Sequence, residues 1–327
     1  MQANAAAQVQ SSAGMRKAAL LYNPESGGSK RRERDLRAAV EILRAGQVEA
    51  ELVATTSKEH AAEEAKRAIE AGCDTIFACG GDGTVHNMVQ VLANTPVALG
   101  VFPIGTANAL AHDLGWPFRI PAAAKAALNA RPRRVAVGRV TCHGLQGAPT
   151  TCHFVVAAGI GLDAHLFYKL QSGVKQRLGM AAYYAKAWHM WFSYAMTRFR
   201  VEYMQTSTST PKVLNVTELL AVRIRNFGGV LRELAPGASL DRDDLRLVFC
   251  HTASRLAYLS YVTAGLFRLA WPIPGIELSF AVKASCDYGA DGTDGKVYVE
   301  ADGELIGSLP AEISVVPDAL TLLTPVR

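Results

Sequence analysis

Three loops of this chain combine glycine with hydroxyl, amide and carboxylate side chains at the ends of apolar runs. They are Asn23-Pro24-Glu25-Ser26-Gly27-Gly28, Gly80-Gly81-Asp82-Gly83-Thr84 and Pro103-Ile104-Gly105-Thr106-Ala107-Asn108. Glycine lets the backbone come close to a phosphate, and a helix N-terminus just after such a loop presents unsatisfied amide donors with a partial positive charge. The hydroxyls of Thr84 and Thr106 add donors, and Lys30 supplies a point charge. One glycine turn after a strand is commonplace; three that open on the same sheet edge point to a bound phosphate group. Neither GxxxxGK[ST] nor GxGxxG is present, which weighs against a Walker-type NTPase and an NAD dehydrogenase.

A second cluster lies near the C-terminus, where Asp302 and Glu304 stand two apart in EADGELIG. On a regular strand they share one face, although Asp-Gly is also a strong hairpin signal. Paired carboxylates can divide the acceptance of a proton and the orientation of a cation. The six cysteines form no CxxC pair. Cys142-His143 and Cys152-His153 are adjacent along strands, so their side chains point to opposite faces and do not suit a shared zinc ion. Buried thiols in a reducing cytoplasm are the expectation.

These residues need elements to hold them. From Lys17 the chain alternates apolar strands (AALLY, VEAELVAT, DTIFACG, PVALGVFPIG) with helices, the first over Arg32 to Ala45 and the second over Ala61 to Ala71. That rhythm predicts a doubly wound parallel sheet covered on both faces, an α/β domain with its loops at the carboxyl ends of the strands. After about Arg133 strands with turn signals dominate: RVAVGRVTC, TCHFVVAAGIG, ELLAVRIRNFGG, DLRLVFCHT, IELSFAVKASC, KVYVEADGE and EISVVP. The second half therefore reads as an all-β, β-sandwich-like domain, interrupted by helical segments near 176–198 and 253–270.

Length and composition agree with two domains: 327 residues, 50% hydrophobic and 19% charged, exclude disordered and fibrous classes. A net charge of +5 suits anionic ligands, an anionic membrane or nucleic acid equally. Residues 1–14 (MQANAAAQVQSSAG) lack a basic start and an apolar core, and read as a disordered tail rather than a signal peptide. The weakly charged aromatic segment from Ala187 to Thr197 is shorter than the roughly 20 residues a membrane helix needs.

YNPESGG, CGGDGTVHNMV and FPIGTANALAHDLG, in that order and spacing, resemble the catalytic-domain family of diacylglycerol kinases, which includes bacterial lipid kinases and sphingosine kinases. AAGIGLDA (157–164), NFGG (226–229) and EADGE (300–304) extend the match to nearly everything after the tail. The resemblance implies ATP held by Asn23, Pro24, Glu25, Ser26, Gly27, Thr55, Gly80, Gly81, Asp82, Gly83, Thr84, Val85, His86 and Thr106, with Gly105, Asn108 and Lys30 beside them. It implies Glu304 as proton acceptor assisted by Asp302, with Asp82 in reserve, and Mg²⁺ accompanying ATP. A second Mg²⁺ is implied at Leu240, Asp243 and Leu245. The final strand would return to the first domain, giving 15–137 plus 315–327 as the nucleotide domain and 138–314 as the lipid-substrate domain.

Two departures from the family pattern stand out. Ala109 replaces an acid, for which Asp113 one helical turn on offers a substitute, and His86-Asn87 replaces Asn-Glu. Tyr183, Tyr184, Trp188, Trp191, Phe192, Tyr194 and Phe199, flanked by basic residues, suit a bilayer interface as well as a buried helix. The expectation is a cytoplasmic enzyme with a lipid substrate, peripheral membrane contact at the inner face and no nucleic-acid partner, its oligomeric state left open. An NAD kinase, which shares GGDGT, and a non-catalytic nucleotide- or lipid-binding homologue are the alternatives.

Overall fold

The computed structural model describes residues 14–25, 30–161, 196–206, 211–228, 234–252, 273–289 and 296–326, with isolated positions between 254 and 263. The expectations for residues 1–13, for Ser26 and Gly27, for the side chain of Lys30, and for the aromatic segment from Tyr183 to Tyr194 lie outside the described residues.

The first half alternates β1 (Lys17–Tyr22), α1 (Lys30–Ala45), β2 (Glu49–Ala54), α2 (Lys58–Glu70), β3 (Thr75–Gly80), α3 (Asp82–Leu92), β4 (Ala98–Pro103), α4 (Ala109–Leu114) and α5 (Ile120–Leu128). The strands are parallel in the order β2-β1-β3-β4. The chain steps outward from β1 to β2 and then back across to β3 and β4. Right-handed crossovers in opposite directions put their helices on opposite faces. Accordingly α1 packs with α5, and α2 with α3. Both faces being covered, TIFACG and ALGVFP are buried at every residue. Ser57 caps α2 by accepting from the His60 amide at 3.1 Å.

The second half supplies β5 (Arg131–Gly144), β6 (Pro149–Phe154), β7 (Ala157–Gly161), β8 (Phe199–Gln205), β9 (Pro211–Val216), β10 (Glu218–Val222), β11 (Leu245–Cys250), β12 (Ile276–Asp287), β13 (Tyr298–Ala301) and β14 (Glu304–Thr324). The run β13-β7-β10-β11-β12-β8-β9 is antiparallel, and β5 pairs with both β6 and β14. Two buried clusters result. One joins the α/β layer to Ala319, Leu320, Leu322 and Leu323; the other gathers Phe154, Ile160, Phe199, Tyr203, Leu247 and Phe249 between the β layers. The architecture is thus an N-terminal α/β unit followed by a β-sandwich-like one.

The strands differ from the sequence expectation in three places. TCHFVVAAGIG divides into β6 and β7, because the amides of Val155 and Val156 are claimed by the Asp302 side chain instead of by a ladder. The hairpin β8-β9, absent from the expected strands, begins at Phe199, directly after the segment read as helical to 198. EISVVP is only the middle of β14, which runs on until Thr321 and Leu322 lie parallel to Ala98 and Leu99. All six cysteines are free and buried, and Cys142 and Cys152 are buried where His143 is exposed and His153 half-buried. Among the described residues, no helix is long and apolar enough to cross a membrane.

Candidate active site

In a parallel sheet whose order reverses beside β1, the crevice beyond the carboxyl ends of β1 and β3 is the natural ligand site. A cavity of about 920 Å³ opens there. It is lined by Asn23 and Pro24 after β1, Thr55 after β2, Gly80, Gly81, Gly83 and Thr84 at the β3-α3 junction, and Gly105 and Thr106 after β4. Its other walls come from Arg32, Glu33, Ser57, Lys58 and Asn87. The sequence reading missed this second group. The loop after β2 was the available signal for Ser57 and Lys58, since every strand of a parallel sheet delivers its carboxyl end to the same edge.

The glycines are fixed by close approach. A Cβ on Gly105 would sit 2.4 Å from the Cα of Gly81, so two phosphate-loop candidates touch backbone to backbone. A Cβ on Gly83 would sit 2.9 Å from Oε1 of Glu304, so the first turn of α3 leaves room for a carboxylate from the far end of the chain. Asp82 opens α3 and accepts from the amides of Asn108 at 2.9 Å and Ala109 at 2.7 Å. Burial raises its pKa, and those amide bonds partly oppose the shift. Asn108, at φ 52°, accepts from the Gly105 amide and donates to the Gly105 carbonyl, which closes the loop on itself. Asp82 and Asn108 therefore clasp the second and third loops together. Of the other predicted ATP contacts, Val85 and His86 are buried under α3, Glu25 donates its amide to Asn23 Oδ1, and the Thr55 hydroxyl donates to the Tyr22 carbonyl.

Asp302 and Gly303 both take positive φ, 49° and 81°, with Ala301 paired to Glu304, so they form the two-residue turn of the β13-β14 hairpin. The turn is also where the carboxylates meet the α/β unit. Asp302 is buried and accepts from three amides, those of Val155 (3.1 Å), Val156 (2.8 Å) and Ala157 (3.1 Å). Its Oδ2 stands 3.5 Å from Nδ1 of His86. Gln90 sits one turn after His86 and holds both the amide and the carbonyl of His153, so α3 is stitched to β6 behind the site. Glu304, half-buried, reaches Lys58 of the cavity wall, whose Nζ lies 2.6 Å from Oε2. A pair this exposed stabilises the fold by at most about 1 kcal/mol.

The predicted substitute acid Asp113 accepts from the amides of Arg225 (3.0 Å) and Asn226 (2.9 Å) and lines a separate recess with Arg133, Leu240 and Asp241. In the Ser239–Asp244 turn Asp243 is exposed and Leu240 buried, while Asp241 pairs with Arg133 and Asp244 with Arg242. Among the described residues no group of three or more His, Cys, Asp or Glu side chains gathers to hold a metal.

Two family models match successive parts of the chain: the diacylglycerol kinase catalytic domain matches residues 17–140, and the YegS C-terminal NAD kinase beta sandwich-like domain matches residues 155–324. The diacylglycerol kinase of Bacillus subtilis (strain 168) is 30% identical over 302 residues, covering 91% of this chain and 93% of its own. The chain belongs to the diacylglycerol kinase family. Its fold is that of a solved diacylglycerol kinase structure from Bacillus anthracis str. Sterne, at TM-score 0.65 and 19% identity over 95% of this chain and 97% of that one. Yeast NADH kinase, solved with NADH, has a related fold at TM-score 0.52 and 9% identity, covering 96% of this chain and 84% of that one.

Proposed function

We propose that the chain is an ATP-dependent lipid kinase that transfers the γ-phosphate of ATP to a hydroxyl of diacylglycerol or a sphingoid-like lipid. The observation that carries this reading is that Asn23 and Pro24, the Gly80–Thr84 turn and Gly105 with Thr106 line one cavity, two of whose lining residues, Gly83 and Lys58, also meet the Glu304 carboxylate of the β13-β14 hairpin. The triphosphate lies against the amides at Gly81 and Gly83 and the hydroxyls of Thr84 and Thr106. The lipid hydroxyl oxygen attacks the γ-phosphorus, its proton passes to Glu304, and the bond to the β,γ-bridging oxygen breaks. A phosphate monoester and ADP leave. Both oxygens of Asp82 and of Asp302 are already engaged by backbone amides, which favours Glu304 as the acceptor and gives the two aspartates positioning roles. Mg²⁺ bound with ATP would offset phosphate charge, with Glu304 and the cavity-lining Glu33 as carboxylates that could share it. Leu240 and Leu245 through their carbonyls, with Asp243, are the proposed holders of a second Mg²⁺.

The nucleotide-binding unit is proposed to comprise 15–137 and 315–327, supported by the parallel pairing of Thr321 and Leu322 with Ala98 and Leu99, and 138–314 is proposed to serve the lipid. The family match favours a lipid acceptor over NAD, for which the support is a shared fold. A cytoplasmic protein that meets its substrate at the membrane surface fits this reading. Incubation of the purified chain with labelled ATP and either membrane lipid extract or NAD, followed by thin-layer separation, tests the acceptor. Label is expected in a lipid phosphate, and Glu304→Ala is expected to lower its formation by about 10²–10⁴-fold with nucleotide binding intact. Unchanged turnover in that variant removes Glu304 from the mechanism.

A further inference from the structure

Lys58 and Glu304 are 246 residues apart in sequence, yet their charged atoms meet at 2.6 Å on the cavity wall. The lysine backbone is fixed, because Asn87 Nδ2 donates to its carbonyl at 2.8 Å and so ties the start of α2 to α3, the helix that opens at the central glycine loop. Its side chain is 59% exposed, and four methylenes let the ammonium turn across the cavity without moving that backbone. Glu304, 25% exposed, is held on the rigid β-hairpin and has less room to follow.

We propose that Lys58 is a phosphate-binding residue with two stations: it pairs with Glu304 when the cavity is empty and turns to the terminal phosphates of a nucleoside triphosphate when one enters, releasing the Glu304 carboxylate for the acceptor hydroxyl. The inference rests on the lipid kinase reading. A triphosphate presents several negative charges and more acceptor oxygens than one carboxylate, so it outcompetes Glu304 for a point-charge donor. Two consequences follow for the reaction. The proton acceptor becomes available only once the phosphoryl donor is in place, and the cation that guarded it now offsets charge on the group being transferred. Lys58 acts on the proton transfer through Glu304, as a positioning residue, and on the nucleotide by direct contact.

The test compares equilibrium binding of a non-hydrolysable ATP analogue with Mg²⁺, and of AMP, to the full chain and to Lys58→Met, Lys58→Arg and Glu304→Gln. Loss of one charge-assisted hydrogen bond predicts that Lys58→Met weakens the triphosphate by about ten-fold or more and leaves AMP unchanged. Lys58→Arg recovers most of that affinity, and Glu304→Gln tightens the triphosphate because the competing carboxylate is gone. Equal triphosphate affinity in wild type and Lys58→Met overturns the role of Lys58 and leaves the cavity reading standing. So does a variant with a lowered unfolding midpoint that treats both nucleotides alike, the behaviour of a merely structural ion pair. Failure of the wild type to bind either nucleotide overturns the kinase reading and the role of Lys58 with it.

Discussion

Asp302 and Asp82 stand beside Glu304 as candidate catalytic carboxylates, one assisting and one in reserve, and the structure gives both of them backbone amides to hold. Asp302 takes three amides across the β6-β7 break, and Asp82 takes two from the loop after β4. Such bonds explain why the residues must be acidic without requiring that either accept a substrate proton. Asp82 gives a pH prediction. Its pKa in the folded chain is raised above the ordinary value of 3.8 because burial disfavours the charged form. The unfolded chain therefore ionises first as pH rises, and the native state loses stability relative to a variant that cannot titrate. Wild type is expected to lose ground against Asp82→Asn between a pH below 3.8 and neutrality, with the difference flat once the folded-state pKa is passed. Urea unfolding of both proteins across that range measures it.

At the scale of elements, the glycines of GGDG and PIGT were legible as phosphate-loop candidates. What the sequence concealed is that they make room for one another and for Glu304. Residue spacing reports which loops exist; it does not report that Gly81 and Gly105 touch, since that contact depends on the register of β3 with β4. The neighbour of Gly105 is backbone, which cannot rotate away as a side chain would. Gly105→Ala is expected to cost about 1–3 kcal/mol of stability, as overpacking does, and to weaken nucleotide binding by spreading the two loops. Chemical unfolding together with a nucleotide titration separates the two effects. The Asp302-Gly303 turn teaches a related point: a hairpin signal and a functional pair are compatible when the hairpin's tip is what enters the site.

Across the whole molecule, β14 is the element that makes one site from two units. It begins at Glu304 beside Lys58 of the cavity wall, pairs with β13, β5 and β12, and ends parallel to β4 in the α/β unit. Leu322 is fully buried between β4 and β5. Leu322→Ala is expected to destabilise by about 2–5 kcal/mol, the cost of a large-to-small change in a core. Because β14 belongs to both units, fluorescence and circular dichroism should report a single shifted unfolding transition rather than early loss of one unit.

The sequence by itself determined the alternation of apolar strands and helices, the change to β structure after about Arg133, and the order of the glycine loops, because side-chain periodicity and turn chemistry are local. Tertiary structure decided the rest. It split TCHFVVAAGIG to feed Asp302, extended EISVVP into a 21-residue strand, and brought Lys58 to Glu304. Each of these depends on partners far apart along the chain, whose meeting is set by strand register and packing and leaves no periodic trace in either segment alone.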